Sequence, residues 1–284
     1  MKYIVSNLLH RLLPQIVQAS FTKHNSMVNS VRWSPADSHT LGTTSADQGV
    51  LFWDDRDGGI SPTAIFGRTN AFGDSLWFDF SADGLQVAVV EQQGRHASRL
   101  SIYDLRQKAP LEQSIVIPFS ASTLNWIHSS DIIAIGSAFG NLWCVGAPFT
   151  SDTPFTTTLP AHNANVLTSH SCGPILVSGG SDSMVQVWDS SSLASLASFS
   201  HADNSVRCVS ISPDAQVIAS AYEKDIAIHT THGNHIGSIS ASIWTVAWHP
   251  WRTLIAYGGE SHTKKEGGKY TGSLGFTNYE TEVK

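Results

Sequence analysis

The sequence predicts an all-β protein assembled from one unit of about four strands that repeats along the chain. In each unit a small or apolar residue is followed, five positions later, by a second and mostly hydrophobic residue. These second residues are spaced by 37 to 47 positions and are Trp33, Phe80, Trp126, Ser171, Ile211 and Trp248. A low charged fraction of 14% and 22 glycines suit short strands joined by tight turns.

Each unit also repeats one internal order of strands and polar turns. The first strand ends at a turn such as Ser34-Pro35, and a second β-branched run follows, as in 216–220 and 253–257. A third run comes after another turn, as in 50–53 and 226–228. β-branched and aromatic residues dominate these runs, as strands packed on both faces require.

A recurring polar pattern identifies the kind of unit. In the stretch 162–189 an Asp lies four residues after a Ser and six before a Trp, with a His upstream, and the stretch 24–53 repeats this order with Thr for Ser. The two sets are His162, Ser178, Asp182, Trp188 and His24, Thr43, Asp47, Trp53. Units of about 40–45 residues with this pattern resemble the WD repeat, in which a four-stranded sheet forms one blade of a propeller. We therefore predict a WD40 β-propeller.

Six four-stranded blades are recognisable, and a seventh is the alternative if one blade is degenerate. The last unit ends after its third strand, near residues 274–279, so a strand at about 15–22 is predicted to complete it and to protect its open edge. The predicted domains are an N-terminal helical segment over 1–14, the propeller over 15–279 and a tail over 280–284. Pro14 would end the helix, whose apolar face repeats at helical spacing.

A His, a Ser and an Asp also invite comparison with a hydrolase triad. A catalytic triad occurs once, with its nucleophile on an exposed turn, whereas this set recurs and accepts Thr in place of Ser. The residues are therefore predicted to form a buried hydrogen-bond chain that runs from Trp through Ser or Thr and His to Asp. No catalytic residue is predicted, and a hydrolase that uses His162, Ser178 and Asp182 remains the competing hypothesis.

Composition and motifs indicate no cofactor or small-molecule substrate. The net charge of −6 argues against direct binding of RNA by the whole surface. No phosphate-binding loop and no apolar run of membrane-spanning length occurs, and a secretory signal at the N-terminus is disfavoured by its polar interruptions. Three cysteines without a paired motif are predicted to be buried thiols in a reducing compartment. The histidines at 229, 232 and 235 are predicted to lie on an exposed loop, so no metal site is predicted.

The second half of the chain resembles one family of WD-repeat proteins, the THO complex subunit 3 family. The resemblance runs from about 162 to 276 and rests on the Trp-His-Pro step within 245–250 and on the insertion 260–271, which carries Gly268-Lys269-Tyr270. It implies a scaffold subunit of the THO/TREX assembly, which couples transcription to mRNA packaging and nuclear export. It also implies protein partners among THO/TREX subunits, indirect contact with RNA and a nuclear location, with the cytoplasm as the alternative. Members of that family are expected to have seven blades. We therefore infer no binding surface for this chain from the additional blade of the family.

Two surfaces are candidates for partner binding. Arg207 and Trp244 each follow the first apolar residue of a unit, and both residue types are enriched in binding hot spots. Packing between blades is the alternative role for Trp244. The loop 260–271 carries a basic group, Lys264, Lys265 and Lys269, which an acidic partner or RNA phosphate would fit and which a solvated loop would also explain. A WD-repeat scaffold of a chromatin or ubiquitin-ligase complex is the alternative function.

Overall fold

The computed structural model describes residues 23–25, 28–45, 49–57, 62, 64–66, 76–94, 96–106, 109–127, 129–147, 155–240, 243–249, 252, 254–260 and 272–278. The regular secondary structure of these residues consists of β-strands and one short 3₁₀ helix at Asp55–Asp57. The chain divides into two compact units, Met1–Ala121 and Ser122–Lys284.

The first compact unit contains two four-stranded antiparallel sheets in sequential strand order. The strands of its first sheet are β1 (Val28–Trp33), β2 (Thr40–Ser45), β3 (Gly49–Asp54) and β4 (Ala64–Phe66). Those of the second sheet are β5 (Leu76–Phe80), β6 (Gln86–Gln92), β7 (Ser98–Asp104) and β8 (Ala109–Ile117).

Aromatic side chains fill the core of this unit. The rings of Phe52, Phe78 and Phe80 meet edge to face, with centroids 5.6 to 6.2 Å apart. Val50 and Val89 are fully buried against them. Because edge-to-face pairs gain free energy beyond the area they bury, these rings join β3 firmly to β5.

The second compact unit contains four sheets in chain order. The third sheet consists of β9 (Ala121–Ile127), β10 (Ile132–Ser137), β11 (Asn141–Gly146) and β12 (Thr156–Pro160). The fourth consists of β13 (Val166–Cys172), β14 (Ile175–Gly180), β15 (Met184–Asp189) and β16 (Ser195–Ser200). The fifth consists of β17 (Cys208–Ile211), β18 (Val217–Ala221), β19 (Asp225–Thr230) and β20 (His235–Ser240), and the sixth of β21 (Thr245–Trp248), β22 (Leu254–Glu260) and β23 (Gly272–Asn278).

Consecutive sheets of the second unit pack face to face through apolar layers. Leu142 and Leu176 lie in the layer between the third and fourth sheets, and Val187 and Ile218 lie in the layer between the fourth and fifth. A third layer, containing Trp248, joins the fifth sheet to the sixth. Hydrophobic burial at about 25 cal/mol per Å² makes these layers the main source of stability in such repeated sheets.

The all-β class and the repeated four-strand unit agree with the prediction. Six four-stranded sheets were expected, whereas among the described residues five sheets have four strands and the sixth has three. The strand predicted at about 15–22, the helical segment 1–14 and the tail 280–284 all lie outside the described residues. Within the described part of the chain, no helix is long and apolar enough to cross a membrane.

The expectation of three buried cysteines is wrong in part. All three are free thiols, but only Cys144 is buried, whereas Cys172 and Cys208 are half-buried. The reason is position, since Cys144 lies in the layer between two sheets and burial raises the pKa of its thiol to about 12. Cys172 ends the first strand of its sheet, and Cys208 begins the first strand of the next.

Candidate functional site

The fourth sheet holds a continuous chain of side-chain hydrogen bonds, which we call the tetrad (His162, Ser178, Asp182 and Trp188). The Trp188 indole N–H donates to Ser178 Oγ over 3.3 Å. Ser178 Oγ lies 2.9 Å from His162 Nε2, and His162 Nδ1 lies 2.9 Å from Asp182 Oδ1. The order of donors follows, because a carboxylate only accepts: Nδ1 carries the proton, and the Ser178 hydroxyl donates to Nε2.

Burial keeps His162 neutral within this chain. Its side chain is fully buried, and burial lowers the pKa of His162 in spite of the opposing effect of Asp182. Burial would raise the pKa of Asp182, but the backbone N–H of Asn163 and the His162 ring outweigh that effect and lower it. A neutral imidazole between a hydroxyl and a carboxylate satisfies every polar atom of the set.

Two glycines make room for His162. A Cβ atom at Gly180 would lie 2.5 Å from both His162 Nδ1 and Asp182 Oδ1. At Gly140, which has a φ of +86°, a Cβ atom would overlap the backbone carbonyl of His162. The backbone N–H groups of Ala161 and His162 both donate to the Gly140 carbonyl. The sequence therefore holds His162 by its backbone and leaves space for its ring.

The first sheet repeats most of this arrangement. Trp53 Nε1 donates to Thr43 Oγ1 over 2.8 Å, and His24 Nε2 lies 2.8 Å from the same oxygen. The fourth member predicted for this set, Asp47, lies outside the described residues. The described part of the set has the same order of residue types as the tetrad, with Thr in place of Ser.

The geometry at Ser178 is unsuited to nucleophilic attack. The side chain is fully buried, and its oxygen already accepts from Trp188 and bonds to His162. A nucleophile must approach a substrate carbonyl in a cleft that admits the substrate. A buried hydroxyl flanked by an indole does not meet that requirement.

The fifth sheet replaces the Trp of this arrangement. Ser178 and Ser220 occupy equivalent positions on the second strands of their sheets. Ser178 pairs with Ser169 on β13, and Ser220 pairs with Val209 on β17. Trp188 pairs with Leu176, two residues before Ser178. In the fifth sheet, Ile218 is two residues before Ser220, and it pairs with His229. His229 therefore occupies the position that Trp188 has in the fourth sheet.

Tyr222 stands two residues after Ser220, where the fourth sheet has Gly180. The Tyr222 ring is fully buried, and its hydroxyl accepts from the backbone N–H of His201 over 3.3 Å. The fifth sheet thus has a large side chain at the position where the fourth sheet has a glycine that leaves room for the His162 ring. The His201 ring instead stacks on that of His235, with centroids 4.8 Å apart.

Three imidazoles consequently come together beside the fifth sheet. The ligand nitrogens of His201, His229 and His235 all lie within 4.8 Å of one another. Burial lowers the pKa of His229 to about 4, and its two histidine neighbours add to this effect. The sequence pointed to the histidines at 229, 232 and 235, but His232 is exposed and outside this group. No local sequence pattern could have identified His201 as the third member of the group, because His201 lies in a different loop.

The predicted partner-binding residues Arg207 and Trp244 lie against each other. The guanidinium carbon of Arg207 is 5.1 Å from the centre of the Trp244 ring, a cation–π distance. Trp244 is 49% exposed, so it does not serve mainly as packing between sheets. Both backbones are fixed, because Arg207 donates to the Ala221 carbonyl and Trp244 to the Gly258 carbonyl. The other predicted group, Lys264, Lys265 and Lys269, lies outside the described residues.

The amino-acid sequence is similar to those of known proteins. The family model "WD domain, G-beta repeat" matches residues 16–54, 153–189 and 193–229. THO complex subunit 3 of Arabidopsis thaliana is 28% identical over 248 residues, which cover 85% of this chain and 75% of that protein. WD repeat-containing protein AAC3 of Dictyostelium discoideum is 26% identical over 254 residues, which cover 84% of this chain and 49% of that longer protein.

The matched repeats contain the first, second and third strands of the first, fourth and fifth sheets. The first sheet contains the hydrogen-bonded Trp53, and the fourth sheet contains the hydrogen-bonded Trp188. In the fifth sheet, His229 replaces the Trp. The chain is therefore an all-β protein of WD40 repeats with the β-propeller fold.

Proposed function

We propose that this protein is a non-catalytic scaffold subunit of a THO complex, which supports the packaging of mRNA during transcription and its export from the nucleus. The observation that carries the proposal is the similarity to THO complex subunit 3, which spans 85% of this chain and 75% of the relative. A likeness spread over that much of both chains includes the sheets and the loops between them. Loops on a rigid frame are where proteins of repeated sheets differ in their partners.

The buried tetrad supports a scaffold without catalysis. Ser178, His162 and Asp182 match a hydrolase triad in residue type, but the side-chain hydrogen bonds of Ser178 and His162 are made within this set and with Trp188. The set also recurs in the first sheet, with Thr43 bonded to His24 and Trp53. A bond that ties each third strand to the loop before the first strand gives a rigid sheet rather than a reaction centre.

The Arg207–Trp244 pair is the surface that we propose for a THO partner. An exposed indole covered by a guanidinium offers apolar area and a positive charge together, and both residue types dominate binding energy where they are buried at interfaces. Because the two backbones are already fixed, little conformational entropy is lost when a partner covers the pair. A partner segment with a carboxylate beside an apolar side chain would complement it.

Affinity purification of the full chain from nuclear extract, followed by mass spectrometry, tests the proposal. The expected result is recovery of other THO subunits in amounts that nuclease treatment does not change, because the contacts are between proteins. Recovery of a chromatin or ubiquitin-ligase complex without THO subunits would contradict membership of a THO complex. It would support the WD-repeat scaffold of another assembly.

The surface is tested separately with matched variants. Arg207→Ala combined with Trp244→Ala should reduce recovery of the partners about tenfold or more, since each is a hot-spot residue type. Leu196→Ala is the control, because Leu196 is similarly exposed, at 53%, but lies on the outer strand β16. Full recovery by the double variant, with folding shown intact by circular dichroism, would rule out this surface.

A further inference from the structure

Three histidines from three separate segments converge beside the fifth sheet. His201 lies in the loop before β17, His229 on β19 and His235 at the start of β20. One nitrogen from each ring lies within 4.8 Å of the other two. The His229 and His235 rings are 5.0 Å apart between centroids, and those of His201 and His229 are 5.8 Å apart.

A bulge in the sheet creates the closest part of this group. Ile228 pairs with Gly237 on the neighbouring strand, but the next residue, His229, pairs with His235, so Ile236 is skipped in the register. Bulges bend a strand and redirect a side chain, and they are frequent beside functional sites. Here the bulge brings the His235 ring to the same side of the sheet as His229.

His229 carries a buried nitrogen that has no hydrogen-bond partner among the described residues. The residue is 2% exposed, and within the described part of the chain its Nδ1 is a buried atom without a donor or acceptor in reach. One face of the ring is covered by Phe199, with ring centroids 4.5 Å apart. Because an unsatisfied buried nitrogen costs free energy, such a group calls for an explanation, and a bound ion is one. The neutral imidazole has a lone pair to give, which the Trp it replaces lacks.

We propose that His201, His229 and His235 bind one divalent transition-metal ion, of which Zn²⁺ is the representative. Imidazole nitrogens suit Zn²⁺, and three of them leave a fourth position of a tetrahedral ion open. In such a site the nitrogens lie about 3.3 Å apart, given Zn–N bonds of about 2.0–2.1 Å. His235 is exposed and His201 partly exposed, so their rings have room to rotate toward the buried His229.

A carboxylate stands beside the group. Asp225 Oδ2 lies 3.4 Å from His201 Nε2. Histidine ligands commonly pair with a carboxylate, which orients the ring and increases its basicity. A bound ion would link the loop at 201, β19 and the outer strand β20, and would therefore stabilise the edge of the sheet. This inference is independent of the proposed THO partner.

Isothermal titration of the metal-stripped full chain with Zn²⁺ tests the site, and Co²⁺ reports its geometry through its visible absorption. The wild type should bind one ion that His235→Ala and His201→Ala each weaken about tenfold or more. His232→Ala is the matched control, since His232 lies on the same turn, is exposed and is outside the group. Its affinity should equal that of the wild type.

The variants change partly exposed rings, so the fold is expected to survive in each, which circular dichroism checks. The absence of Zn²⁺ binding by the wild type would overturn the proposal. So would unchanged affinity in His235→Ala or His201→Ala, or a loss in His232→Ala equal to theirs. Tetrahedral Co²⁺ bands that disappear in His235→Ala but remain in His232→Ala would support it.

Discussion

Ser178 is the residue on which the tetrad depends, because its oxygen serves two neighbours at once. It accepts from the Trp188 indole and bonds to His162 Nε2 in a place that water does not reach. Inside a protein, hydrogen bonds of this kind add little when made but cost much when one partner is lost. The tetrad is therefore more sensitive to removal of Ser178 than its small size suggests.

Ser178→Ala should destabilise the protein by about 1–3 kcal/mol, because it leaves the Trp188 N–H and the His162 ring nitrogen buried without this partner. Urea denaturation followed by tryptophan fluorescence measures the change. Ser198→Ala is the control, since Ser198 is exposed on β16, and it should change the stability by less than about 0.5 kcal/mol. A hydrolase activity that Ser178→Ala abolishes without a loss of stability would restore the catalytic interpretation.

His162 should make the stability depend on pH. Burial lowers the pKa of the folded side chain below its ordinary value of 6.5, so below that value the unfolded chain binds more protons than the folded one. Its contribution is then complete above about pH 6.5 and is lost as the pH falls toward the folded pKa. Asp182 does not interfere, because its contribution is lost only below its ordinary value of 3.8.

The measurement is the melting temperature at several pH values between about 7.5 and 5.5, a range that spans the ordinary histidine pKa. The wild type should lose stability toward the acid end, and His162→Gln should show a smaller loss over the same range. His229, whose pKa is also lowered, acts in the same direction in both proteins. An identical pH dependence in the two proteins would contradict the assignment.

The tetrad residues could be identified from spacing alone because strands and tight turns fix their separations. The histidine group could not be identified in the same way. His201 belongs to the loop before β17, and its backbone N–H donates to the hydroxyl of Tyr222, which stands at the position of Gly180 in the fourth sheet. The large side chain two residues after Ser220 was the one signal in the sequence. Its meaning depends on a comparison of two folded sheets rather than on a local pattern.

At the scale of one sheet, the second and third strands were predictable and the outer edge was not. The run predicted at 216–220 corresponds to β18 (Val217–Ala221), and the run at 226–228 lies within β19 (Asp225–Thr230). Alternation and turn residues are local properties, and they suffice for such strands. The bulge at His229 depends on how two strands pair, which their separate sequences do not specify.

Gly180→Ala should destabilise the fourth sheet, because the added Cβ would come within 2.5 Å of both His162 Nδ1 and Asp182 Oδ1. Overpacking of this kind costs about 1–3 kcal/mol, and differential scanning calorimetry measures it. Gly237→Ala is the control within a strand, since a Cβ there would meet no atom of the described residues within 4 Å. It should leave the stability unchanged or raise it by up to about 1 kcal/mol. Equal effects at the two positions would show that glycine flexibility, rather than space for the tetrad, determines the result.

At the scale of the whole chain, the repeated unit can be recognised from the amino-acid sequence because its period is regular. The first-strand anchors Trp126, Ile211 and Trp248 lie on β9, β17 and β21. The contact between Arg207 and Trp244 could not be recognised in this way, because it joins two successive sheets and depends on their packing. Periodicity therefore predicts the frame, whereas a surface made by neighbouring sheets is determined by how those sheets pack.

Charge leads to a prediction for the whole molecule. With a net charge of −6, the protein should bind single-stranded RNA with a Kd weaker than about 100 µM at physiological salt. Fluorescence anisotropy with a labelled RNA measures this. The combined change Lys264→Ala, Lys265→Ala and Lys269→Ala should leave the signal as it is. Low-micromolar binding that this variant loses would instead assign RNA contact to the loop 260–271.

The exchange of Trp for His at position 229 alters the balance of donors and acceptors in the fifth repeat. In the fourth repeat, each side-chain N–H or O–H group in the hydrogen-bond chain of the tetrad donates to one acceptor, so donors and acceptors in that chain are equal in number. An indole brings a donor alone, whereas a neutral imidazole brings a donor and a lone pair, and Nδ1 of His229 is a buried nitrogen without a hydrogen-bond partner among the described residues. An unmatched acceptor selects positively polarised ligands. The fifth repeat, in which His229 takes the place of the Trp, is thus the repeat that could respond to metal ions around the protein.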